Sequence, residues 1–225
     1  MSKIHTSRTP MDEFDISGSI LYHRNFQNRH LGLAEALAKS LGIRDPGLLA
    51  HSLGVANFAT KVARRLGLSE DKVDIIRRGS LLHDIGKLGV SQEILSKPAV
   101  LSEKEIATVR AHPIVGAALL QDCPEYEALI PIVRHHHEYF NGRGYPDKIA
   151  GEEIEIEARI VAVSEIVTSM ASDEPYRNAH TPVNIINELR SNSGTKYDPH
   201  VAETAIQIIR DGGTENSLGT PTTLN

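Results

Sequence analysis

Tryptophan is absent from the 225 residues, aromatics make up only 4%, and cysteine occurs once, at Cys123. A single cysteine excludes an intrachain disulfide and a cysteine-based zinc site, and it fits a reducing compartment. The shortage of aromatic rings removes the platforms on which single-stranded nucleic acid stacks. Positive charge is also short: 24 Lys and Arg against 29 Asp and Glu leave a net charge of -5, which argues against a nucleic-acid polymer as partner. A small phosphate ligand stays open, because a local metal cluster can override the global sign. No apolar run approaches the roughly 18 residues that cross a bilayer. Residues 1–27 lack an apolar stretch of signal-peptide length, so the expectation is a soluble, cytoplasmic protein. Alternating strand patterns and internal repeats are missing too.

What is present is 40% apolar content, enough for a core, arranged with helical period. Leu31, Leu33, Ala34, Leu37, Ala38 and Leu41 fall on one face, stopped by Gly42. Asp45-Pro46 reads as an N-cap with proline in the first turn, opening a helix that runs past His51, Val55, Phe58 and Val62 to Gly67. Ser69 caps the next helix, which closes at His83-Asp84. Ser102 and Glu105 form a capping box, and Pro113 opens a renewed helix. Residues 129–140 are expected to be helical, 141–151 a loop with three glycines and one proline, 154–157 extended, and 158–171 an apolar helix. Thr181-Pro182 and Asp198-Pro199 open the last two helices. The class is all-α, with residues 1–28 as an extension, 29–212 as the helical domain and 213–225 as a disordered tail.

Two stretches concentrate chemistry. The first is His83-Asp84-Ile85-Gly86-Lys87, where imidazole and carboxylate sit side by side at a helix end and can reach one ion. The second is Arg134-His135-His136-His137-Glu138, followed by Gly142 and Gly144-Tyr145-Pro146. His51 and His112 are single histidines on separate helices, and Glu165 is a carboxylate inside an apolar helix, where it needs a partner. Imidazole with carboxylate suits iron, manganese or zinc, and disfavours calcium and magnesium. A carboxylate such as Asp84 can bridge two ions, which together clamp a phosphate and lower the pKa of a bridging water. Taken singly, His51 and His112 read equally as packing residues, Lys87 and Arg143 as solvated charges, and Glu165 as an exposed-face residue.

The first stretch resembles the signature of the HD superfamily of metal-dependent phosphohydrolases. The second resembles the second signature of its HD-GYP branch. His51-Ser52, His112-Pro113 with Gly116, and Ala158-Arg159-Ile160 fit further landmarks in order, so the likeness spans roughly residues 49–209. It implies an HD-domain helical bundle with a Gly-Tyr-Pro loop and additional C-terminal helices. It also implies hydrolysis of cyclic di-GMP, to linear pGpG or GMP, by a metal-bridged hydroxide. On these positions fall His51, His83, Asp84, His112, His136, His137 and Glu165 as metal ligands, Asp84 and Lys87 as catalytic residues, and Lys87, Tyr145 and Arg177 as substrate contacts. Gly47 stands where some members carry a Glu for a third metal, so two divalent ions, iron or manganese, are expected. Glu165 replaces an Asp, Asn141 replaces another, Thr168 stands at a second acidic position, and Glu174 stands where the family has Arg. The rival expectations are a catalytically degenerate signal-binding or protein-interaction module, and an HD-type phosphohydrolase acting on another nucleotide. Regulation is expected from the N-terminal extension, a regulatory protein partner or a homo-oligomer.

Overall fold

The computed structural model describes residues 32–43, 45–173 and 178–212. The expected extension and tail, Arg177 and Glu174 lie outside the described residues. Among the described residues the chain is all-α, as expected: its only ladder contact is an isolated bridge between Ser193 and Tyr197. The helices are α1 (32–43), α2 (Pro46–Arg65), α3 (Glu70–Leu82), α4 (Gln92–Leu95), α5 (Glu103–Arg110), α6 (His112–Leu120), α7 (Ile130–His135), α8 (Ile156–Ala171), α9 (Pro182–Ser191) and α10 (Pro199–Asp211). Short 3-10 turns cover Ile85–Gly89, Pro124–Leu129 and Gly151–Glu153.

The caps read from the sequence form. Asp45 Oδ1 accepts from the backbone N–H of Gly47 (3.0 Å) and Leu48 (3.2 Å), two donors the first turn would otherwise leave unpaired. Ser69, Thr181 and Asp198 do the same for α3, α9 and α10, and Ser102 with Glu105 closes a reciprocal capping box on α5. Gly67 adopts φ 76° just past α2, a left-handed turn that glycine takes without strain.

Two apolar clusters hold the helices in place. The larger joins Phe58 and Val62 of α2, Ile76 of α3, Ile132 of α7, Ile160 and Val163 of α8, and the inward faces of α9 and α10. The smaller joins α1 through Ala34, Ala38 and Leu41 to Leu82, Ile85, Leu120, Leu129 and Val133. The Arg159 guanidinium pairs with the Asp198 carboxylate, whose other oxygen caps α10, so α8 and α10 are tied at one point. This packing sets α2, α3 and α7 against α8, and α6 against α7 and the Ile85–Gly89 turn.

The helix expected over 129–140 differs. Pro124–Leu129 is a 3-10 turn, α7 ends at His135, and His136 is its C-cap. The reason is tertiary. The N–H groups of Phe140 and Asn141, which a continuing helix would turn inward, bond instead to the carbonyls of Lys196 (3.1 Å) and Thr195 (2.9 Å) in the α9–α10 turn. The His137 carbonyl accepts from Tyr145 N–H at 3.2 Å. The chain is thereby pulled out of the helix just where His136 and His137 are needed. By contrast, α3 closes where the sequence places its end, with His83 as C-cap after Leu82, and Gly86 and Gly89 lie in a 3-10 turn. Of the stretch expected to be extended, only Ile154 and Glu155 are, and α8 begins at Ile156.

Candidate metal centre

Five elements deliver the side chains. His51 comes from the first half of α2, His83 from the cap of α3, His112 from the first turn of α6, His136 and His137 from the end of α7, and Glu165 from the middle of α8. The approach of the first stretch to α6 depends on Gly86. A Cβ there would lie 1.9 Å from the His112 carbonyl oxygen and 2.5 Å from the Gly116 nitrogen, so only glycine lets the 3-10 turn lie against α6. That contact places Asp84 beside His112.

Each buried ring is held by the backbone carbonyl three residues before it. His83 Nδ1 donates to the Ser80 carbonyl (2.7 Å), His112 Nδ1 to Val109 (2.7 Å) and His136 Nδ1 to Val133 (3.0 Å). A carbonyl can only accept, so in the neutral ring the proton is on Nδ1 and the lone pair is on Nε2. All three Nε2 atoms then face inward as bare acceptors. His112 Nε2 and His136 Nε2 stand 3.2 Å apart. His83 Nε2 and Asp84 Oδ1 are buried with no hydrogen-bond partner. Two lone pairs facing each other and orphaned buried acceptors are unfavourable unless a cation sits among them.

The donors sort into two sets. His51, His83 and Asp84 offer atoms within 4.8 Å of one another, as do His112, His136 and His137. Asp84 joins them: its Oδ1 is 3.2 Å from His112 Nε2, and its Oδ2 is 3.3 Å from His83 Nε2 and 2.7 Å from Lys87 Nζ. A carboxylate with one oxygen toward each set is what a bridging ligand requires. The donor set, imidazole nitrogen with carboxylate oxygen, fits a first-row transition metal.

Electrostatics keep every donor except His83 in the ligating state. Burial and the neighbouring His83 push His51 down to about 4. Burial and His112 push His137 down to about 3, and burial with the surrounding imidazoles holds His136 well below its usual range. Burial lowers His112 as well. Burial would raise Asp84, but His83 and Lys87 outweigh it and hold the carboxyl well below its ordinary value. The opposite balance raises His83, burial being outweighed by Asp84.

Glu165 stands apart from both sets. Its Oε2 is 3.7 Å from His137 Nδ1, beyond a hydrogen bond, and burial pushes its pKa up to about 7. Thr168, one turn further along α8, packs its methyl toward Gly54, where a Cβ would be 2.6 Å away. Glu165 and Ser169 line a cavity of about 200 Å³ with His136, His137, Lys196 and Tyr197. Tyr145 stacks on His137, ring centroids 4.8 Å apart at 26°. The Tyr145–Pro146 peptide is cis.

The supports of this loop were not apparent in the sequence. Glu138 is buried, and its Oε1 accepts from the backbone N–H of Asp147 (2.6 Å) and Lys148 (2.8 Å). Arg134 holds the Asp147 carboxylate through two bonds of 2.6 and 2.8 Å, and His135 spans Asp147 and Glu155 at 3.0 Å each. Gly144 lies against the chain, where a Cβ would be 2.2 Å from Tyr139 N. A glutamate directly after two inward histidines was the one available signal for Glu138.

Residues 35–201 match the family described as HD domain. The chain is 36% identical over 175 residues to the cyclic di-GMP phosphodiesterase response regulator RpfG of Xanthomonas campestris, covering 76% of this chain and 46% of that protein. It is 32% identical over 186 residues to the 3'3'-cGAMP-specific phosphodiesterase 3 of Vibrio cholerae, covering 81% and 40%. The fold matches that of Bd1817, an HDG"Y"P protein from Bdellovibrio bacteriovorus, with a TM-score of 0.58 at 22% identity, over 71% of this chain and 51% of that one. The chain thus spans about half the length of the curated relatives it matches. With both histidine signatures in order on this fold, the chain belongs to the HD domain family.

Proposed function

We propose that this chain is a metal-dependent phosphodiesterase that opens a cyclic dinucleotide, with cyclic di-GMP as the first candidate. The observation that carries the reading is Asp84, ionised and buried between His51 and His83 on one side and His112, His136 and His137 on the other. His51, His83 and Asp84 would hold one divalent ion, and His112, His136, His137 and Asp84 the other, with Glu165 reaching from α8. Bound there, iron or manganese would supply Lewis acidity toward the phosphate and a water of lowered pKa.

The chain's own residues do the rest. The Nδ1 bonds to Ser80, Val109 and Val133 fix the rings, so no reorientation is needed as substrate arrives. Lys87 Nζ, anchored on Asp84 at 2.7 Å and a quarter exposed, stands where it can donate to a non-bridging phosphate oxygen. Burial raises the Tyr145 pKa, so the loop presents a neutral hydroxyl rather than a negative charge to the substrate. The names of the relatives support a cyclic dinucleotide as the substrate class, and they include both a cyclic di-GMP and a 3'3'-cGAMP enzyme.

A binding module without turnover is the second reading. Its support is that Glu165 lies outside both ligand sets and that Thr168 offers α8 no further acid. The test is product analysis on protein purified without oxygen and loaded with iron or manganese. Linear dinucleotide or GMP is expected, and Asp84→Ala should abolish it. Tight binding with no product selects the binding module. Turnover that survives Asp84→Ala refutes the proposed chemistry.

A further inference from the structure

Arg110 is the last residue of α5, two positions before His112, and it is exposed. Its guanidinium carbon lies over the Tyr145 ring, 5.4 Å from the centroid. Tyr145 in turn stacks on His137. The result is a pile of guanidinium, phenol and imidazole running from the surface down to the second donor set. Among the described residues no carboxylate pairs with Arg110. Exposed Arg64 and Arg65 and half-buried Arg134 each bond an acidic side chain, and of the arginines without such a bond Arg110 is the one over an aromatic ring of the site. A guanidinium resting on an aromatic face keeps its in-plane N–H donors unspent, and their fork matches two oxygens of a phosphate.

A cyclic dinucleotide carries two phosphodiesters in one ring, and only one can lie at the donor sets. Lys87 is already engaged there with Asp84. The second phosphate therefore needs its own cation outside the donor sets. We propose that Arg110 is that cation: a substrate-binding residue that holds the uncleaved phosphodiester at the mouth of the site and so selects a cyclic dinucleotide over a simple diester. This inference rests on the function proposed above.

The test uses the metal-loaded chain with Arg110→Ala and Arg110→Lys. Kinetics are measured on cyclic di-GMP and on bis(p-nitrophenyl) phosphate, a diester with one phosphate. Equilibrium binding of cyclic di-GMP is measured beside them. In Arg110→Ala the ratio of kcat/KM for cyclic di-GMP over that for the small diester should fall about tenfold. The loss should lie in KM and Kd rather than kcat, and Arg110→Lys should recover part of it by charge without the fork. Equal losses on both substrates would mean that Arg110 only props Tyr145, and would overturn the proposal, as would an unchanged ratio. Wild-type protein that binds cyclic di-GMP without cleaving it would end the hydrolase reading alone. Arg110 would then stand on a tenfold weaker Kd in Arg110→Ala and fall on an equal one. Wild-type protein that neither binds nor cleaves overturns both.

Discussion

Replacing Glu138 with alanine should loosen the Gly-Tyr-Pro loop by a calculable amount. The carboxylate accepts two backbone N–H groups through Oε1, at 2.6 and 2.8 Å. Hydrogen bonds to a charged acceptor contribute roughly 1.5–3 kcal/mol each, so their loss costs about 3–6 kcal/mol. Against this, Glu138 Oε2 is buried with no partner, and removing it relieves a penalty of about 1–3 kcal/mol. At the midpoints of these ranges the net destabilisation is about 2–3 kcal/mol. Glu138→Gln keeps an acceptor at Oε1 and loses only the charge, so it should lie about 1 kcal/mol below wild type. Urea unfolding followed by circular dichroism reads both values. Hydrogen exchange at the amides of Asp147 and Lys148 separates local opening from global loss. If Glu138→Ala unfolds within about 0.5 kcal/mol of wild type, or if those two amides keep their protection, the carboxylate is not what holds the loop.

Gly86→Ala should cost more than about 3 kcal/mol and impair metal binding, because its Cβ would fall 1.9 Å from the backbone of α6. Gly89→Ala, whose Cβ would meet only the Val115 side chain at 3.3 Å, should stay within about 1 kcal/mol in the same urea titration. The metal-free protein should lose stability on acidification. His51 and His137 titrate at about 4 and about 3 when folded, below the ordinary 6.5, so the unfolded chain takes up their protons first. Their contribution is intact above pH 6.5 and is lost as pH falls toward 4, at about 1.4 kcal/mol per pH unit each. Glu165, raised to about 7, takes up its proton first in the folded state and so offsets roughly one of these two histidines over the same window, while His112 and His136, lowered as well, add to the loss. His83, raised by Asp84, has its stabilising effect complete below pH 6.5, so a net loss of about 1–3 kcal/mol between pH 6.5 and about 5 is expected by chemical denaturation.

Much of the site was legible because its ligands are announced locally. His83-Asp84 follows a capped apolar helix, and Asp45-Pro46 and His112-Pro113 mark helix starts that the fold keeps. The all-α class followed from period alone. What was illegible depends on contacts distant in sequence. The helix expected through Phe140 stops at His135 because Lys196 and Thr195 compete for its N–H groups, and no window around residue 140 contains them. The role of Glu138 shows only once residues 147 and 148 fold back over it. Glu165 was expected among the ligands, and it faces His137 from outside both sets, a placement fixed by how α8 packs rather than by its own neighbours. Arg110 drew no notice in the sequence, since an arginine ending an amphipathic helix is ordinary until Tyr145 is found beneath it.

The central claim is a two-ion centre divided by Asp84, and metal content per chain tests it most directly. Protein purified without oxygen should hold two iron or manganese ions by inductively coupled plasma mass spectrometry. His51→Ala and His136→Ala, each taking a donor from a different set, should each lower that number. A wild-type chain that binds one ion or none, or two ions retained in both variants, would contradict the account.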